Sequence, residues 1–123
     1  MGPVETAIRA RFPRPERLFT PTDKKPYELY DLGLKSISLK LGTRANPVRI
    51  EWAVLEGIPD FLRDKGWVNA AGMYVEGGPP TLDHYLKPHV TENVGRWLAH
   101  ILSEADIVRL RRGKPVRMML VEP

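Results

Sequence analysis

Five cations fall within nine residues near the end of the chain: Arg109, Arg111, Arg112, Lys114 and Arg117, with no acid among them. Val108 and Leu110 alternate with Arg109 and Arg111, and Val116, Met118 and Leu120 repeat the alternation after Arg112-Gly113-Lys114-Pro115. Period two followed by a Gly-Pro turn predicts a β-hairpin over 107–121, apolar on one face and basic on the other. Guanidinium forks presented this way can hold phosphates or enter a minor groove. The competing explanation is protective, because basic side chains on an edge strand discourage sheet-to-sheet aggregation.

A second set of polar groups precedes the hairpin. Val94, Trp97, Leu98, Ile101, Leu102 and Ala105 follow i, i+3, i+4, i+7, i+8, i+11, which predicts a helix over 91–105 with Thr91 as its cap. The opposite face carries Asn93, Arg96, His100 and Ser103. Asn can pair bidentately with adenine and Arg with guanine in a major groove. Gly95 and Ala99 would allow close approach, whereas Glu92 and Glu104 would repel phosphates. An ordinary solvated face of an amphipathic helix looks the same.

Catalytic constellations do not assemble. With no cysteine there is no thiol nucleophile, disulfide or thiolate metal site. His84, His89 and His100 lack metal-ligand spacing, and the neighbours Asp83 and His84 point apart on a helix. Glu51, Glu56, Asp60 and Asp64 lie near Lys65, but 56, 60 and 64 repeat every four residues and read as the wet face of a helix. No glycine-rich phosphate loop is present. The expectation is a protein without catalytic residues, cofactor or metal. Trp52 and Trp97 belong to apolar stripes and read as core, while Tyr74 lies in a Gly-rich loop.

The 123 residues suit one α+β domain, with 42% hydrophobic and 28% charged residues. Residues 1–25 read as a basic arm in which Pro13, Pro15, Pro21 and Pro26 allow only one or two helical turns around Val4–Phe12. Residues 26–52 alternate and predict a small antiparallel sheet of two or three strands. A helical period over 52–65 is interrupted by Gly57 and Pro59, giving either a kink or two short helices, and ends at Gly66. A short strand is possible at 73–75, and Thr81 caps a helix over 81–87.

The order helix, helix, turn, helix, hairpin over about 50–121, carried by TLDHYLKPHVTENVGRWLAHILSEADIVRLRRGKPVRMML, resembles winged helix-turn-helix DNA-binding domains. The resemblance implies a winged-helix-like unit over 52–121, with helix 91–105 in the major groove and the hairpin as a wing on the backbone. Its loop over 66–80 is longer than in compact members, and the N-terminal sheet is an addition.

Charge distribution agrees with a polyanionic partner. Residues 1–25 carry six basic and three acidic groups (+3), 107–123 carry five and one (+4), and 26–106 carry eight and eleven (−3), which sum to +4. If the two basic ends meet, they form an electrostatic footprint for double-stranded DNA. The alternative is a protein-interaction or adaptor module, or a homodimer. A start without an apolar leader, no long apolar run and no cysteine suggest a cytoplasmic protein away from membranes.

Overall fold

The computed structural model describes residues 1–21, 23–44, 46–72, 76, 78–113 and 115–121. The chain opens with helix α1, Pro3–Arg11. Val4 and Ile8, followed by Phe12, recur every four residues and are all buried. Proline in the first turn lacks only an N–H that would be unpaired there anyway. The next donors are capped from a distance: the Glu56 carboxylate accepts Val4 N–H at 3.1 Å and Glu5 N–H at 2.8 Å. Glu56 is therefore a tertiary cap and not part of a wet helix face.

Strand β1, Glu16–Phe19, follows and pairs antiparallel with β2, Pro26–Leu32. The helical turns expected around Val4–Phe12 are therefore present as α1, and Glu16–Phe19 of the expected basic arm is an edge strand of the sheet. The prolines at 13, 15 and 21 fall between elements and Pro26 opens β2, so they bound elements without excluding them. Strands β3, Ser36–Leu41, and β4, Asn46–Glu51, complete a four-stranded meander in the order β1-β2-β3-β4; residues 26–52 supply three of its strands, as expected, and β1 is the addition. Its inner face presents Leu18, Tyr27, Leu29, Ile37, Leu39, Leu41, Val48 and Ile50 to the core.

The helical period after the sheet divides into α2, Trp52–Glu56, and α3, Ile58–Leu62. They separate at Gly57, where an added Cβ would collide with the Tyr85 hydroxyl, which donates to Val54 O at 2.8 Å. The helix stops at Leu62 rather than near Gly66, because Asp64 (φ 64°) and Gly66 (φ 66°) are left-handed.

The remaining elements are β5, Val68–Asn69; α4, Leu82–Leu86; α5, Gly95–Glu104; β6, Val108–Arg111; and β7, Arg117–Leu120. Thr81 caps α4 as expected, its Oγ1 accepting His84 N–H at 3.1 Å. Thr91 does not cap α5, which begins four residues later; its hydroxyl binds the Glu92 carboxylate at 2.6 Å. The cap is again remote. Asp83 on α4 accepts Gly95 N–H at 2.7 Å and Gly72 N–H at 3.1 Å. Gly95 is required there because a Cβ would collide with Ala70 O and the Asp83 carboxylate.

Strands β5, β7 and β6 form a second antiparallel sheet in that order. One core cluster runs from Val4 through the first sheet and α2–α5 to Val108 and Met118. Trp52 is buried and its indole donates to Gly33 O at 2.9 Å, while Trp97 is only partly buried. The possible strand at 73–75 lies outside the described residues.

Candidate functional site

The hairpin forms because apolar side chains on alternate positions are drawn onto α5 and α3, which fixes its register. Val108 pairs with Leu120, Arg109 with Met119, Leu110 with Met118 and Arg111 with Arg117. Val108 and Met118 are buried; Arg109, Arg111 and Arg117 are exposed on the other face. β5 extends this face, setting Asn69 opposite Arg117. The Arg111 guanidinium lies 4.7 Å from the centre of the Trp67 ring, a cation–π contact. Arg112 is exposed at the turn, where Gly113 has φ 142°. Lys114 lies outside the described residues.

Arg111 and Arg117 are directly opposed like charges, an arrangement that costs stability in a sheet. Among the described residues, arginine ion pairs engage Arg9, Arg11, Arg63 and Arg96, and none engages Arg109, Arg111, Arg112 or Arg117. The hairpin cations are therefore not neutralised within the described fold.

The polar face of α5 is in a different state. Asn93 is exposed but precedes the helix. Arg96 pairs with Asp23 at 3.3 Å and lies over the Trp97 ring. His100 Nδ1 is 2.6 Å from the Tyr27 hydroxyl, with Nε2 3.9 Å from Glu104. Arg11 ties Glu104 (2.5 Å) to Glu16 (3.3 Å), and Ser103 is partly buried. The face expected to be free is thus held by α1, β2 and the β1–β2 turn. The small residues Gly95 and Ala99 are buried, and Gly95 admits the Ala70 backbone rather than an external ligand.

These contacts bring the two basic ends of the chain together. The His100 pKa is lowered chiefly by burial, with Glu104 opposing and Arg11, Lys24 and Arg112 reinforcing the shift. Lys24 and Arg112, from opposite ends of the sequence, thus both act on His100. Tyr27, nearly inaccessible, has its pKa raised by burial and by Glu104 and Glu16.

The carboxylates considered for chemistry disperse: Glu56 caps α1, Asp60 pairs with Arg63 at 2.5 Å, and Glu51 is exposed on β4. Asp83 is a structural clamp; burial raises its pKa and the Gly95 and Gly72 N–H groups pull it down. Among the described residues no three metal-ligating side chains cluster, and no helix is long and apolar enough to cross a membrane.

Asp64 instead lines a cavity of about 320 Å³ with Leu62, Gly66, Arg109, Met119 and Leu120. Pattern reasoning missed this cavity because it depends on the left-handed turn after α3 meeting the outer side of β7. The signal for that turn was the Asp-Lys-Gly sequence at 64–66.

No protein-family model matches the chain, and comparison with curated proteins and with solved structures found no match.

Proposed function

We propose that this protein binds double-stranded DNA, with the basic hairpin β6–β7 on the phosphate backbone and the Lys24–Arg112 region extending the contact. The observation that carries the reading is the cross-strand pair Arg111–Arg117, opposed at the same register and without an ion-pair partner among the described residues. Such a pair costs stability in the free protein, and that cost is relieved when a polyanion lies across it. Trp67 beneath Arg111 fixes one guanidinium and lowers the entropy lost on binding.

We read residues 52–121 as a winged helix-turn-helix. The order α2–α3, β5, α4, α5, β6, β7 and the sheet order β5-β7-β6 support this. Within that reading the wing meets DNA and α5 serves as a structural helix, since His100 and Glu104 are held by Tyr27 and Arg11 and Arg96 forms a surface ion pair with Asp23. The binding is then largely insensitive to base sequence.

The test is duplex binding measured across salt concentrations. Replacing Arg111, Arg112 and Arg117 together by Ala lowers the slope of log K against log salt by roughly 2.7, at about 0.9 per phosphate contact. Arg49→Ala, an exposed change on β4, leaves it unaltered. Absence of binding by the unaltered protein at about 50 mM salt, where non-specific contacts are favoured, refutes the proposal.

A protein-interaction role draws support from another place: Met1 (84% exposed) and Leu34 (89%) are large apolar side chains left in solvent beside one another.

A further inference from the structure

The cavity beside the hairpin holds two opposite charges that do not pair. Arg109 and Asp64 both line it, yet no ion pair joins them to each other or to any other described residue. Its remaining walls are apolar, from Leu62, Met119 and Leu120. At about 320 Å³ it sits at the small end of ligand pockets, which run from roughly 300 to 1,000 Å³. A flat heterocycle with apolar faces and a polar edge, carried on an anionic linker, matches this division of walls and charges.

We propose that the cavity receives one unpaired guanine from the end of a DNA duplex, with its phosphate on Arg109. The assignment rests on the hairpin reading above. A carboxylate accepts best from two adjacent donors. Among the four bases only guanine offers two neighbouring N–H groups, N1 and N2, on its Watson–Crick edge. That edge is free only when the base is unpaired, so the site selects an overhanging or extruded nucleotide and not an internal pair. Met119 and Leu120, both partly exposed in the lining, supply the apolar contact for the ring.

The experiment compares a blunt duplex with otherwise identical duplexes bearing a single unpaired G, A, C or T at one end, by fluorescence anisotropy. Binding of the G end is expected to be about tenfold tighter than that of the A, C or T end, the discrimination a good bidentate contact supplies. Asp64→Asn removes this preference, because Asn presents one acceptor and one donor, and does not weaken blunt-duplex binding, since it removes a negative charge beside Arg109. Asn also tolerates the left-handed backbone at this position, so the variant keeps the turn. Equal affinity for the four ends, with blunt binding intact, overturns the guanine assignment alone. A G preference that survives Asp64→Asn overturns the role of Asp64. Loss of binding to every duplex removes the hairpin reading together with this one.

Discussion

Replacing Asp83 by Ala disconnects the start of α5 from α4. The carboxylate accepts Gly95 N–H at 2.7 Å and Gly72 N–H at 3.1 Å. Gly95 is buried, so its donor has no alternative partner in water, whereas Gly72 is exposed and recovers its bond from solvent. Only the first bond therefore counts heavily. Hydrogen bonds to charged groups contribute roughly 1.5–3 kcal/mol net. Burial raises the Asp83 pKa despite both N–H groups, so desolvation offsets part of this gain. A loss of about 2 kcal/mol follows for Asp83→Ala, and less than half of that for Asp83→Asn, which keeps an acceptor oxygen.

Urea unfolding followed by tryptophan fluorescence reads both, with the midpoint falling and the slope m unchanged. In a thermal scan the same loss is a drop of about 10 °C, given the size of the chain. If Asp83→Ala stays within about 0.5 kcal/mol of the parent, as a surface change would, Asp83 does not cap α5. If Asp83→Asn is as damaging as Asp83→Ala, the bond to Gly95 is not the cause.

Gly95→Ala forces a Cβ against the Ala70 carbonyl oxygen and should cost about 1–3 kcal/mol in the same urea assay, although alanine favours helices elsewhere. Stability should also depend on pH through His100, which is faced by Tyr27, Glu104, Arg11, Lys24 and Arg112. Its folded pKa lies below the usual 6.5, so the unfolded chain takes up the proton first. Stability is full above about pH 6.5 and falls as pH drops below it; His100→Gln flattens this window, and an unchanged pH profile in that variant refutes the assignment. Tyr27 acts at the other limit: its raised pKa means stability is lost as pH rises past about 10, where the unfolded phenol ionises first.

What could be read from the sequence follows from which signals are local. The stripe from Val94 to Ala105 and the alternation at 108–120 gave α5 and the hairpin, because each element buries one face at its own period. Thr81 as a cap was legible for the same reason, its partner being three residues away. The caps supplied by Glu56 and Asp83 were not, since their partners lie on other elements. The helical turns of α1 were legible around Val4–Phe12, whereas strand β1 was obscured by prolines that sit at element boundaries. The polar face of α5 had the composition of a recognition surface, but composition does not reveal that Tyr27, Asp23 and Arg11 occupy it. In the hairpin, the basic face was plain from alternation; the opposition of Arg111 and Arg117 required the register.

The central claim is that the hairpin, and not α5, meets DNA. Backbone amide chemical shifts followed during titration with a short blunt duplex at low salt test it directly. The expected result is that shifts concentrate on Val108–Arg112 and Arg117–Leu120, with Trp67 and Lys24 following, while amides of Arg96–Glu104 move little. The largest shifts on α5 or on the outer face of β1–β4, or none at all, would contradict it.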